Sequence, residues 1–145
     1  MKDIWFEKGV NMRRKVLSRA YVDRQLKNAD EFSRPMQDLA TAAGWGMVWT
    51  RAGLTLKQRS MLTLAFVIAR GKAEELALHL DGATRNGVTK NEVREICLQA
   101  AVYCGFPEGL GAFRVAKKYY MEAEANKASK PAKKSAGKPK AKRSK

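Results

Sequence analysis

Apolar residues recur at helical spacing along most of the first 125 residues, and no stretch alternates strictly as a half-buried strand would. From Asp3 to about Leu17, Ile4, Val10 and Leu17 fall on a helical repeat that Trp5 and Phe6 widen. A second helix is expected over Ala20 to Ala29. A third begins near Ser33, with Pro35 tolerable in its first turn, and carries Met36, Leu39, Ala40 and Ala43 towards Trp45. Gly44 and Gly46 weaken it there, and Arg51-Ala52-Gly53 reads as a loop. Thr55 is a good N-cap for Leu56 to Arg70, a segment apolar nearly all round beyond Ser60 and so expected to be the buried central helix. Gly71 closes it. Lys72 to Asn86 follows, with Leu76, Leu80 and Ala83 on one face and Gly87 as C-cap. Thr89 and Glu92 form a capping box opening a helix that reaches Cys104. Gly105-Phe106-Pro107 ends that helix, and Glu108 to about Ala125 completes the body. The pattern predicts an all-α domain over residues 1–125, a single compact bundle of six or seven helices.

The net charge of +15 changes the picture only at the end of the chain. Nine of those charges lie in residues 126–145, a segment almost wholly of Lys, Ala, Ser, Pro and Gly with no acid, which leaves +6 on the body. Such a composition buries too little apolar surface to offset the entropy of ordering, so a disordered Lys-rich tail is expected. It reads either as a solubilising extension or as a weak electrostatic contact for nucleic acid or another polyanion. The N-terminus lacks an apolar signal core and no run of 18 apolar residues occurs, so a cytoplasmic location without membrane contact is expected. Cys97 and Cys104 stand two helical turns apart, roughly 10 Å, too far for an undistorted disulfide. They are expected to be reduced core residues.

Absent motifs narrow the chemistry. No CxxC, glycine-rich phosphate loop or nucleophile elbow occurs. One histidine and two separated cysteines give no metal-ligand spacing and no Cys–His nucleophile pair. What remains is Glu75 and His79, four apart and therefore on one helix face. A carboxylate beside an imidazole raises its pKa towards neutrality and suits it to donating a proton. The same spacing is also common in ordinary surface pairs. The flanking Leu78 and Leu80 predict partial burial of His79.

Several blocks, in order, resemble the gamma-carboxymuconolactone decarboxylase family. Gly9 with Arg13-Arg14-Lys15-Val16-Leu17, then Tyr21-Val22-Asp23-Arg24, is similar to its N-terminal signature. Trp45-Gly46, Trp49-Thr50-Arg51 and Gly53-Leu54 resemble its WGxxWTRxGL segment, and Arg59-Ser60 stands where the family opens its central helix. Glu75 to Leu80 and Asn86 to Thr89 resemble the block ELxxHLxxAxxNGVT, and Gln99 to Pro107 the block QxAxYCGxP. The likeness spans about residues 5–120. It implies an alkylhydroperoxidase D-like helical fold assembled as an obligate homo-oligomer, commonly a hexamer. Proteins of that fold with peroxidase activity carry a CxxC before the histidine; Lys72 and Glu75 occupy those positions here, so peroxidase chemistry is not expected.

The resemblance further implies decarboxylation of 4-carboxymuconolactone, a small carboxylated lactone, to the 3-oxoadipate enol-lactone in aromatic catabolism, with neither metal nor organic cofactor. In that reaction electrons left by the departing CO2 flow into the lactone carbonyl, and a ring carbon is then reprotonated. His79 would be the acid and Glu75 its orienter. Arg51 and Arg59 would clamp carboxylates or, equally, form salt bridges. Ser60 would join the substrate site, and Trp45 and Trp49 would wall a pocket or simply fill core. The chain departs from the family at Arg114, which stands where a second histidine is common. Arg114 could bind a carboxylate but cannot readily donate a proton, which makes a different small carboxylated substrate the second reading. A non-catalytic oligomer with nucleic-acid-binding tails is the third.

Overall fold

The computed structural model describes residues 4–129. Among these residues it is all-helical: α1 (Ile4–Leu17), α2 (Arg19–Asn28), α3 (Arg34–Leu39), a π-helix (Ala40–Val48) continuing α3, α4 (Leu56–Ala69), α5 (Ala73–Arg85), α6 (Lys90–Cys104) and α7 (Phe106–Ala128). α7 begins two residues earlier than expected because Gly105, at φ +116°, makes the turn alone and Pro107 fits the first helical turn. It also runs into the expected tail; residues 130–145 lie outside the described residues.

The local signals for the ends hold. Thr55 with Gln58, and Thr89 with Glu92, both close complete capping boxes. Gly71 and Gly87 sit at φ +62° and +87°, a conformation L side chains rarely adopt, and end α4 and α5. The glycines that weaken the third helix act differently. From Ala40 to Val48 the chain widens into a π-helix, with the Trp49 N–H donating to the Gly44 carbonyl at 3.1 Å. This segment lies directly against α1. A methyl at Gly9 would overlap the Thr41 carbonyl oxygen, and one at Gly46 would overlap the Trp5 carbonyl oxygen. Two backbones therefore touch where side chains would normally hold helices apart.

Burial divides into two clusters. Leu64, Ile68, Leu76, Leu80, Val93, Cys97 and Ala112 centre the larger, between α4, α5, α6 and α7. Val16, Leu17, Val22 and Trp45 centre the smaller, between α1, α2 and the π-helix, with Leu78 packed against it. α5 is the wall they share. An Arg14–Asp23 ion pair joins α1 to α2, and Arg85 Nη1 donates to the Val16 carbonyl at 3.1 Å.

Two expectations are corrected. α4 is not buried all round: Ser60, Leu64 and Ile68 are, but Leu62 and Phe66 are 45% and 64% exposed. Only one face of α4 meets α5 and α6, so its second apolar face lies bare on the protomer. Cys97 is core, where burial pushes its thiol up to about 11, but Cys104 at the end of α6 is exposed. No helix among the described residues is long and apolar enough to cross a membrane.

Two predictions follow from the helix contacts. Gly9→Ala, measured by urea denaturation, should cost about 3 kcal/mol, since neither backbone can yield without moving its helix. Glu92 accepts from Lys57 and from the Thr89 N–H, and these partners hold its carboxyl down at about 2 against an ordinary 4.5. A depressed carboxylate contributes stability above its unfolded pKa that is lost as pH falls through the folded one. Between pH 4.5 and about 2 the melting temperature should therefore fall more in the parent than in Glu92→Gln.

Candidate active site

α5 starts without a side-chain cap, and Glu74 and Glu75 stand in its first turn, where carboxylates complement the helix dipole. One turn on, His79 lies at the seam between the two clusters, half-buried beside Leu78 and Leu80. Its imidazole stacks on the Trp45 indole, with ring centroids 6.5 Å apart and planes at 15°. Trp45 in turn leans on Trp49 at 4.7 Å. Trp45 and Trp49 thus form an aromatic wall with their planes tilted by 31°, and Trp45 serves as both core and site wall. Its own position depends on the α1 contact at Gly9 and Gly46.

The electrostatics correct the expectation for the pair. Burial lowers the His79 pKa below its ordinary 6.5, and the charge of Glu75 opposes this only in part. Glu75 is exposed, and no hydrogen bond joins it to His79 among the described residues. It tunes the imidazole through space rather than orienting it by contact. Among the described residues the sealed and unpartnered side-chain polar atoms are Arg13 Nε, Arg59 Nε and the Tyr120 hydroxyl; neither His79 nitrogen is one of them. The resting site therefore offers a neutral imidazole with a nitrogen open to a ligand.

The other expected residues are less gathered. Arg59 Nη2 donates to the Arg51 carbonyl at 2.9 Å, which ties the loop after the π-helix to the start of α4. The Arg51 guanidinium itself is exposed. Ser60 is buried and its hydroxyl accepts from Asn86 at 2.9 Å, so it latches the start of α4 to the end of α5. Arg114 is exposed on α7, bonds the Leu110 carbonyl at 3.3 Å, and with Phe113 and Lys117 lines a shallow cavity. No contact among the described residues brings it to His79. Cavities of about 210 to 350 Å³ lie along α4, α5, α6 and α7, and none of these is lined by His79, Trp45, Arg51 or Arg59. Nor do three His, Cys, Asp or Glu side chains gather where a metal ion could be held, among the described residues.

One residue escaped the sequence reading. Arg13 is 7% exposed, the only charged residue in the buried class among those described. Its signal lay in the spacing: with Gly9 and Val16 it falls on the inward face of α1, where a cation is out of place.

The carboxymuconolactone decarboxylase family model matches residues 34–118. The chain is 49% identical over 113 residues to nitrosuccinic acid decarboxylase npaB of Metarhizium robertsii, covering 78% of this chain and 79% of that one. It is 34% identical over 117 residues to 4-carboxymuconolactone decarboxylase of Acinetobacter baylyi, covering 81% and 87%. An uncharacterized 15.0 kDa protein of Paracoccus denitrificans is 29% identical over 82 residues, 55% of this chain and 61% of that one. With the family model matching more than half of its length and two named decarboxylases similar across most of it, the chain belongs to the carboxymuconolactone decarboxylase family and is a decarboxylase.

Proposed function

We propose that this enzyme removes CO2 from a small dicarboxylic acid whose leaving carboxylate sits next to a strong electron sink, with nitrosuccinate as the first substrate. The observation that carries this reading is the 49% identity to a nitrosuccinic acid decarboxylase across 78% of the chain. 4-Carboxymuconolactone is the second substrate, on the 34% identity to its decarboxylase. The two compounds share a logic. As the bond to CO2 breaks, its electron pair passes into the nitro group, giving a nitronate, or through the ring alkene into the lactone carbonyl, giving a dienolate. A proton then adds at carbon, and nitrosuccinate becomes 3-nitropropionate. Arg114 in place of a second histidine suits a substrate other than the lactone, since a guanidinium binds carboxylates without supplying protons.

The resting neutrality of His79 fits this chemistry. A dianion arriving beside the imidazole favours its charged form, reversing the effect of burial. The imidazolium then donates to the oxygen on which charge develops and delivers the proton to carbon. Arg59, whose Nη2 holds the Arg51 carbonyl, is the candidate clamp for a carboxylate. The bare apolar positions Leu62 and Phe66 on α4, Val102 and Tyr103 on α6, and Phe106 at the start of α7 support assembly into a homo-oligomer, a hexamer in this reading. Assembly would also enclose a histidine that the cavities along α4, α5, α6 and α7 do not reach.

Turnover of nitrosuccinate and of 4-carboxymuconolactone by the parent, followed in the ultraviolet, tests the substrate. His79→Ala should lower kcat/KM by about a hundredfold or more while the fold is retained. Because the acid form is required, kcat/KM should fall as pH rises through the free-enzyme pKa, which lies below 6.5. The corresponding fall in kcat should come at higher pH, because bound dianion holds the proton on His79. Coincident limbs would remove the substrate-induced protonation. No turnover of either compound by folded parent would sink the reading of the substrate class. For the assembly, Phe66→Glu should shift the mass measured by light scattering towards monomer without loss of helical circular dichroism; unchanged mass would show that this face is not the interface.

A further inference from the structure

Arg13 projects from the third turn of α1 towards α3 and the π-helix. Its Nη1 donates to Gln37 Oε1 at 2.8 Å and to Thr41 Oγ1 at 3.0 Å, both neutral acceptors. Its Nε is sealed from solvent and has no partner, and Nη2 makes no hydrogen bond among the described residues. Among the described residues no carboxylate pairs with it, whereas its neighbour Arg14 is paired with Asp23. Desolvation accordingly pushes the guanidinium pKa down, with only Tyr21 opposing. A buried cation without a counter-ion is costly, and the protomer holds one in a fixed orientation.

The orientation is informative. A guanidinium presents two N–H bonds side by side along its Nε–Nη2 edge, matched to the two oxygens of a carboxylate. In Arg13 the opposite corner, Nη1, is held by Gln37 and Thr41, which fixes the plane and leaves that edge without a hydrogen-bond partner among the described residues. The edge belongs to the same framework as the histidine. Thr41, which receives Arg13, lies one turn before Trp45 on the π-helix, and Trp45 receives His79. α1 and α5 thus bring a cation and an imidazole to successive turns of one helix.

We propose that the Nε–Nη2 edge of Arg13 is the fork for the carboxylate that the substrate keeps. This rests on the decarboxylase reading above, in which the substrate carries two carboxylates and loses one. The retained carboxylate supplies the missing counter-ion, and its capture selects dicarboxylates over monocarboxylates of the same length.

The test uses the full chain and succinate, a dicarboxylate without an electron sink that is bound and not turned over. The Arg13 Nε–H resonance, assigned through bonds in the unaltered protein, is followed by nitrogen–proton NMR during titration. A saturable shift with succinate, and little with propionate at the same concentration, is the expected result. Arg13→Lys keeps the charge and loses the fork, and should weaken succinate by about tenfold or more. For a substrate that is turned over, it should raise KM well beyond its effect on kcat. An Arg13 resonance unmoved by succinate, or a folded Arg13→Lys with unchanged succinate affinity, overturns the proposal. If Arg13→Lys fails to fold, the titration of the unaltered protein decides alone. The two readings fail separately: a succinate-dependent Arg13 shift without nitrosuccinate turnover leaves the fork and removes the reaction. Turnover with KM unchanged in Arg13→Lys does the reverse.

Discussion

The architecture depends on the backbone contact between α1 and the π-helix. Gly9 and Gly46 let two helices meet closer than any side chain would allow, each glycine facing a carbonyl of the other segment. Everything on the first half of the π-helix is placed by that contact. Thr41 comes within reach of Arg13, and the Trp45 indole is carried to the seam where α5 presents His79. Close helix contacts of this kind transmit position stiffly, because tightly packed interiors offer no slack to absorb a shift. The aromatic wall of the site is thus held by glycines that never touch the imidazole.

α5 converts that framework into chemistry. Its inward leucines, Leu76 and Leu80, belong to the larger cluster while Leu78 belongs to the smaller, so the helix is gripped from both sides. His79 emerges between the grips. Burial there sets a neutral resting state, and the exposed Glu75 moderates it from a distance. A site of this type responds to the charge of what enters it, since the protein contributes a low-dielectric surrounding and leaves the deciding anion to the ligand.

Much of this was legible in the residues. The two capping boxes, the turn glycines 71 and 87 and the Glu75–His79 spacing each follow from local rules, and the structure keeps them. The motif blocks placed the family correctly. What local rules cannot see is competition between distant parts. The sign of the His79 shift depends on how deeply other helices bury it, and pair spacing alone favours the wrong direction. The apolar girth of α4 reads as central burial, yet it divides between an inner face against α5 and α6 and an outer face left bare. Arg13 belonged to a recognised block, but its burial is a tertiary fact. Ser60 was expected in the substrate site, and its hydroxyl accepts from Asn86, a partner 26 residues away that spacing does not reveal.

The π-helix carries a further consequence for how the family's sites can vary. Its wider turn depends on bonds such as that from Trp49 to Gly44, five residues apart, in effect one residue more than an α-helix of the same span would need. Removing a single residue between 40 and 44, ahead of Trp45, would let the segment tighten to ordinary i→i−4 bonding. Side chains beyond the deletion would then be re-aimed about the axis. The indole facing His79 would be exchanged for a neighbour, with no substitution at any residue lining the site. Length, as well as residue identity, is therefore a coordinate along which relatives can trade one aromatic wall for another.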